Sequence, residues 1–176
     1  VPYQVKSILA NKQSCLEFQR INKILIGGAP VDEPLKEQLN TFSNDIYETY
    51  GMTETISHVA LKRLSNDGEA YFQTIGKNSV SVDDDSCLII HAPDILSAPL
   101  KTNDVADLVS EKTFKWLGRK DHVINSGGIK LFPEEIEAKL MALLPSLNIM
   151  VAGLPDAQLG QKVILLIESK KAPETF

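Results

Sequence analysis

Apolar residues recur along this chain at two different spacings, and the switch between them divides the sequence. Residues 5–18 place Val5, Ile8, Leu9 and Leu16 on a roughly helical period and predict one helix. The run Lys23-Ile24-Leu25-Ile26 predicts a short strand that ends in Gly27-Gly28. Over residues 31–42, Leu35, Leu39 and Phe42 return at helical spacing, with Asp32 and Glu33 loading the first turn. Ile46-Tyr47-Glu48-Thr49-Tyr50 then alternates like a strand. This order of strand, glycine loop, helix and strand predicts an α/β arrangement whose strand-end loops carry the chemistry.

The middle of the chain changes period. Residues 57–64, 71–75, 80–82, 87–91, 104–110 and 114–117 are short strand-like runs, separated by turn signals such as Asn66-Asp67-Gly68 and Asp83-Asp84-Asp85. They predict antiparallel strands in a small barrel or curved sheet. Beyond Gly118-Arg119-Lys120-Asp121 the pattern changes again. Val123-Ile124-Asn125 predicts a strand and Gly127-Gly128 a close backbone approach. Pro133 opens a helix, where its missing N–H is harmless, with Glu134 and Glu135 at the positive end and Ile136, Leu140, Leu143 and Leu144 as the apolar stripe. Strands over 148–152 and 162–168 are expected on either side of a turn at Gly153-Leu154-Pro155-Asp156. The domain boundary is expected at Lys120–Asp121, giving units of 1–120 and 121–176.

Composition narrows the partners. With 176 residues, 43% of them hydrophobic, the chain can bury a core without disulfide staples. A formal net charge of −5 and the lack of any Lys/Arg cluster argue against nucleic acid as a partner. Cys15 and Cys87 form no metal or redox spacing and are read as reduced thiols of a cytoplasmic protein. No apolar run reaches the roughly 18 residues of a membrane helix, so no membrane insertion is expected. The opening Val1-Pro2-Tyr3 and the ending Ala172-Pro173-Glu174-Thr175-Phe176 both read as cut ends.

Candidate chemistry lies in short stretches. Small residues at Gly27-Gly28-Ala29-Pro30 would let a flat ligand lie against backbone, although any strand-to-helix turn carries glycines. Neither the dinucleotide fingerprint nor the phosphate-binding P-loop pattern occurs. Tyr50-Gly51-Met52-Thr53-Glu54 combines a ring able to stack on a purine, a flexible joint, a hydroxyl for a phosphate and a carboxylate. A carboxylate beside phosphates is repelled unless a cation intervenes, so Glu54 reads as a Mg²⁺ ligand; the alternative is a strand end followed by an ordinary helix cap. The Asp83-Asp84-Asp85 triplet leaves two readings, a metal site or a solvated hairpin turn.

In order along the chain come Gly27-Gly28-Ala29-Pro30, Tyr50-Gly51-Met52-Thr53-Glu54, Thr102-Asn103-Asp104, Gly118-Arg119-Lys120-Asp121, Ser126-Gly127-Gly128 with Pro133-Glu134-Glu135-Ile136-Glu137, and Gly153-Leu154-Pro155-Asp156. This series resembles the adenylate-forming superfamily of acyl-CoA synthetases, adenylation domains and luciferases, over essentially the whole chain; Val1-Pro2-Tyr3-Gln4 is similar to the family's Val-Pro-Thr element. The resemblance implies an α/β fold: part of the large domain, an α/β layer plus a small antiparallel β-barrel, followed by part of the small α+β domain. It implies ATP, Mg²⁺ and coenzyme A, with a small carboxylic acid, as the molecules handled. Gly28, Ala29 and Pro30 would flank adenine and the acyl pocket, and Tyr50 and Gly51 would belong to the adenine site. Thr53 would touch the α-phosphate, Glu54 would hold Mg²⁺, and Asp104 would grip the ribose hydroxyls. Asparagine at 103 replaces the family's usual glycine in that turn. Arg119 would contact ribose or phosphate, Asp121 would be the hinge between half-reactions, and Gly128 would lie beside pantetheine.

Residues 55–61 and 116–128 look most like the branch that joins o-succinylbenzoate to CoA for menaquinone biosynthesis. That resemblance implies an acid–thiol ligase working through an acyl-adenylate. Fatty-acyl or aryl-CoA ligases of other specificity, and a non-catalytic nucleotide-binding module, are the alternatives. His58 is either structural or close to the substrate carboxylate, and Lys130 either solvated or near a CoA phosphate. The family's phosphate loop and catalytic lysine are not found between Val1 and Phe176, so this stretch by itself is expected to be inactive. A homo-oligomer is left open.

Overall fold

In a computed structural model, which describes residues 1–66, 68–144 and 147–168, Asn11 divides the first expected helix into two. Helix α1 spans Pro2–Leu9 and α2 spans Lys12–Gln19. The Asn11 side chain accepts the Ser14 N–H at 3.0 Å, the bond of an N-cap, so a fresh helix starts where the periodicity predicted continuity. Strand β1 (Lys23–Ile26) leads through the glycine loop to α3 (Glu33–Asn40). Asp32 caps α3 by accepting from Leu35 N at 3.0 Å, which places the helix start two residues after the expected one. Strand β2 (Asp45–Gly51) returns parallel to β1.

The antiparallel strands follow as β3 (His58–Arg63), β4 (Phe72–Thr74), β5 (Ser79–Val82), β6 (Cys87–His91), β7 (Leu100–Ser110) and β8 (Thr113–Arg119). They share one eight-stranded sheet with the α/β strands, in the order β1-β2-β3-β4-β8-β7-β6-β5. Val5, Phe18, Ile26, Leu35, Leu39 and Ile46 form one core, where the three helices meet β1 and β2. A second core, built on Val59, Phe72, Leu88, Ile90 and Phe114, fills the antiparallel part. Asp83-Asp84-Asp85 makes the β5–β6 turn, in which Asp83 Oδ1 accepts from Asp85 N and Cys87 N at 3.0 and 2.9 Å. Among the described residues no group of three or more His, Cys, Asp or Glu could hold a metal ion. No disulfide joins Cys15 and Cys87.

Contacts divide the chain into two units, Val1–Trp116 and Leu117–Phe176. In the second, β9 (Ile124–Ser126), β10 (Ile129–Leu131), β11 (Ile149–Asp156) and β12 (Gly160–Ile167) build an antiparallel sheet in the order β10-β9-β12-β11, and α4 (Pro133–Leu143) joins β10 to β11. Two expected turns are corrected. Thr102-Asn103-Asp104 lies inside β7, which begins at Leu100, at the register shift between its pairings with β6 at Lys101 and Val105. Gly153-Leu154-Pro155-Asp156 lies inside β11, and the turn falls at residues 157–159. Strand β11 is an edge strand, where a proline need not donate to a ladder, and Asp156 Oδ1 closes the later turn by accepting from Gln158 N and Leu159 N at 2.9 and 3.0 Å. Asp67 of the expected Asn66-Asp67-Gly68 turn, and the end at Ala172-Pro173-Glu174-Thr175-Phe176, lie outside the described residues. Among the described residues no helix is long and apolar enough to cross a membrane.

Candidate functional site

Strand β2 carries the residues around which the site is built. Its alternation sends Ile46, Glu48 and Tyr50 to one face and Tyr47 and Thr49 to the other. At its end the register with β3 shifts between Tyr50 and Gly51. A Cβ at Gly51 would overlap the backbone of Ser57 and His58, so only glycine lets the two strands come this close. The 3-10 turn Thr53–Thr55 follows at once.

That turn is organised by Thr55, which is buried. Its hydroxyl accepts the Met52 N–H at 3.0 Å and donates to Ser57 O at 2.7 Å. The Ser57 N–H in turn reaches Thr55 O at 2.6 Å, closing a γ-turn around Ile56. Ile56 has φ 64° and is 81% exposed, an unusual conformation for a β-branched residue and one that the Thr55 bonds hold in place. Thr53 and Glu54 are exposed on the same turn.

An open surface pocket of about 370 Å³ is lined by Gly27, Gly28, Thr49, Gly51, Thr53 and the loop Ile56-Ser57-His58. The structure therefore brings the glycine loop after β1 and the segment after β2 to one place. Gly28 has φ 86°, and Ala29 and Pro30 are exposed beside it. The Ser57 hydroxyl lies 2.9 Å from His58 Nδ1 at the pocket wall.

On the other face of β2 the Tyr50 ring packs against Phe114 and Phe72, with centroids 5.2 and 5.8 Å away. Its hydroxyl donates to Asp104 Oδ2 at 2.6 Å. Asp104 sits on β7 and is only 9% exposed. Two residues 54 positions apart, each read from the sequence as part of a nucleotide site, are thus directly bonded. The Asp104 N–H donates to Thr102 Oγ1 at 3.1 Å, which fixes the Asp104 backbone within the strand.

The remaining predicted residues lie in the second unit. Arg119 Nε and Nη2 donate to the two oxygens of Asp121 at 3.2 and 3.0 Å. The Arg119 hydrogen bond holds the Asp121 carboxyl below its ordinary value, with its own backbone N–H adding to the effect. His122 Nδ1 lies 2.7 Å from Glu134 Oε1, tying the residue after Asp121 to the first turn of α4. Gly127 and Gly128, with φ 58° and 83°, form the two-residue turn between β9 and β10, a hairpin geometry that requires positive φ at both positions. That turn accounts for both glycines independently of any ligand.

Three residues went unread in the sequence. Thr55 is one, and the others are Glu48 and Lys62, directly opposed on β2 and β3. Their side chains are 6% and 13% exposed and form an ion pair at 2.6 Å. The legible signal was a charge in the buried phase of each strand.

A single exposed carboxylate suits Mg²⁺ that arrives with a nucleotide. This ion keeps most of its waters and is commonly held by one or two carboxylates plus phosphate oxygens. Glu54, exposed beside the pocket, fits that description, whereas a resident all-protein metal site would need more donors than the turn offers.

Comparison with known proteins supplies the context. No family model matches the chain. It is 26% identical over 178 residues to the 2-succinylbenzoate–CoA ligase of Listeria monocytogenes, covering 89% of this chain and 37% of that protein. It is 25% identical over 175 residues to the probable 2-succinylbenzoate–CoA ligase of Mycobacterium tuberculosis, covering 95% of this chain and 45% of that one. Among solved structures, an acyl-CoA synthetase (AMP-forming)/AMP-acid ligase II-like protein from Dyadobacter fermentans matches with TM-score 0.65 and 37% identity, over 99% of this chain and 51% of its own. The o-succinylbenzoate coenzyme A synthetase of Bacillus subtilis, in complex with ATP and magnesium ion, matches in fold with TM-score 0.70 and 21% identity, over 89% of this chain and 40% of its own. The chain thus spans about two-fifths of the length of the curated relatives it matches.

Proposed function

We propose that this chain, which has the fold of the adenylate-forming enzymes and is similar over most of its length to 2-succinylbenzoate–CoA ligases, carries the nucleotide-binding elements of an ATP-dependent acid–CoA ligase. The reaction would join a carboxylic acid to AMP with release of pyrophosphate, then transfer the acyl group to the thiol of CoA with release of AMP. The acid proposed is 2-succinylbenzoate, and the setting the cytoplasm. The observation that carries this reading is the Tyr50–Asp104 hydrogen bond, because it joins an aromatic ring and a carboxylate at one spot. A ring offers a stacking surface for a purine, and a carboxylate with an oxygen to spare suits the vicinal diol of a ribose. Asp104 Oδ1 takes no hydrogen bond from the described residues.

The other residues take their roles from position. The Gly27–Pro30 loop and Gly51 would let backbone approach a flat ligand, and Thr53 would donate to the α-phosphate from the pocket lining. Glu54 would hold Mg²⁺, which supplies positive charge to offset that of the departing pyrophosphate. Arg119 would reach ribose or phosphate, Asp121 would serve as the hinge that lets the CoA step follow adenylation, and Gly128 would lie beside pantetheine. The large-domain and small-domain portions would be 1–120 and 121–176.

The test has two arms. Titration of the chain with ATP and Mg²⁺ should show saturable binding that Asp104→Ala weakens. The full-length protein should exchange pyrophosphate into ATP when 2-succinylbenzoate is added. Exchange with no member of a panel of carboxylic acids would refute the ligase assignment. A second specificity is favoured by one finding: the 37% identity to a synthetase whose name specifies no acid exceeds the 26% to the succinylbenzoate enzyme of Listeria. Exchange with a fatty or aryl acid, and none with 2-succinylbenzoate, would establish that alternative.

A further inference from the structure

Glu48 and Lys62 stand opposite each other in the β2–β3 ladder, buried where the strands otherwise send apolar side chains to the cores. The carboxylate is used at both ends. Its Oε1 accepts the Val31 N–H at 2.9 Å, and its Oε2 meets Lys62 Nζ at 2.6 Å in an ion pair. Val31 closes the segment that begins at Gly27, and neither a strand nor a helix holds residues 27–31. Glu48 therefore supplies a restraint on the glycine loop that the regular elements do not. Lys62 is used twice as well, because its ammonium also lies 4.5 Å from the centre of the Phe72 ring. Phe72 stacks on Phe114 at 5.5 Å, and both rings pack against Tyr50. Beside the pair, Lys36 and Glu33 form their own ion pair on α3 at 2.5 Å.

We propose that Glu48 and Lys62 are positioning residues for the candidate ligand site: the carboxylate fixes the end of the glycine loop through Val31, and the ammonium fixes the ring platform behind Tyr50. The functional half of this statement rests on the reading that the glycine loop and Tyr50 face a nucleotide. Stability alone is a poor reason for such a pair. Removing two charges from water offsets most of their attraction, and an apolar pair of similar volume is often equally stable. What an ion pair adds is direction, because only one arrangement satisfies both charges and the Val31 N–H together. Burial lowers the Lys62 ammonium from its ordinary value, and the Glu48 carboxylate opposes that shift.

Two double variants separate positioning from packing. Glu48→Gln with Lys62→Met removes both charges but leaves an amide oxygen for the Val31 N–H. Glu48→Met with Lys62→Met removes the charges and the acceptor. Amide hydrogen exchange at Val31 and titration with ATP and Mg²⁺ are measured on each chain, with thermal melting as the control. The Gln/Met chain should keep Val31 exchange within about 2-fold of the starting protein but, lacking the ammonium that holds the ring platform, bind ATP about 3-fold more weakly, and unchanged affinity would overturn the part given to Lys62. The Met/Met chain should melt similarly, exchange Val31 about 10-fold faster and bind ATP about 10-fold more weakly. Unchanged Val31 exchange and ATP affinity in a Met/Met chain that melts normally would overturn the proposal. If that chain does not fold, Glu48→Asp decides the point: it keeps the charge but is one methylene short, and Val31 exchange must still rise. A starting protein that binds no ATP would sink the nucleotide reading, while Val31 exchange would still decide whether Glu48 holds the loop.

Discussion

Tyr50 works through two different atoms, and one substitution separates them. Its ring packs on Phe72 and Phe114, and its hydroxyl donates to Asp104. Tyr50→Phe keeps the ring and removes the bond. Hydrogen bonds to charged groups are the stronger kind, so ATP affinity should fall by about 5–30-fold, or about 1–2 kcal/mol, with the melting temperature little changed. Binding by isothermal titration checks this, and equal affinity would show that the hydroxyl does not orient Asp104. Thr55 carries a different expectation. Thr55→Val keeps the shape but strips the Met52 N–H and the Ser57 carbonyl of their partner, so unfolding stability should drop by about 2 kcal/mol. Denaturant unfolding measures it. Thr53 and Glu54 were singled out in the sequence because their chemistry suits phosphate and Mg²⁺ and because they stand in an ordered series of motifs. Thr55 was not, since a hydroxyl that bonds to local backbone looks the same in sequence as one that faces solvent. Glu48 and Lys62 were legible only as an anomaly, because naming their partners needs the β2–β3 register.

At the level of elements, the strands and helices could be read wherever periodicity was carried by side chains alone. The alternating run at 46–50, the apolar run at 87–91 and the proline-led helix at 133 all lie where they were expected. Misreadings occurred where the outcome depended on a partner. Asn11 could continue a helix or cap one, and its bond to Ser14 N decided for the cap. Thr102 and Asn103 resemble turn residues but are carried within β7 by the pairings with β6 on either side of them, at Lys101 and Val105. Pro155 looks like a breaker until β11 is known to be an edge strand. The Gly127-Gly128 pair was read as a close approach to a ligand, whereas its hairpin supplies a sufficient local cause. That cause is testable. A Cβ at Gly128 would meet nothing within 4 Å, so Gly128→Ala should be destabilising through its positive φ alone, by about 1 kcal/mol. Gly51→Ala, which has no room for a Cβ, should be far worse and should disturb the pocket as well. Comparable melting temperatures for the two variants would contradict the close-approach argument at Gly51.

Across the whole molecule, the buried apolar side chains are unevenly shared. Among the described residues of the second unit only Ile124, Pro133, Ile149 and Val151 are buried apolar side chains, while the first unit holds two clusters of them. Hydrophobic burial is the main favourable contribution to folding, so amides of β9–β12 should exchange at lower denaturant than those of β2 and β6. Uniform exchange across both units would contradict this. Acid should widen the gap. The Asp156 carboxyl lies below its ordinary value of 3.8, chiefly because the Leu159 and Gln158 N–H groups bond to it. Asp121 is lowered in the same direction by Arg119. A carboxyl lowered on folding contributes stability that is present above its unfolded value and is lost as pH falls through the native one. Both groups lie in the second unit, so that unit should lose its exchange protection below the ordinary carboxyl value before the first unit does. Asp156→Asn isolates the charge, because its amide oxygen can still accept from Gln158 and Leu159 but has no proton to gain. Near neutral pH this variant should melt below the starting protein. At pH low enough for the native carboxyl to take up its proton, the two melting curves should converge. A gap that stays constant from neutral pH into acid would mean that turn geometry, and not the carboxylate charge, is what Asp156 contributes.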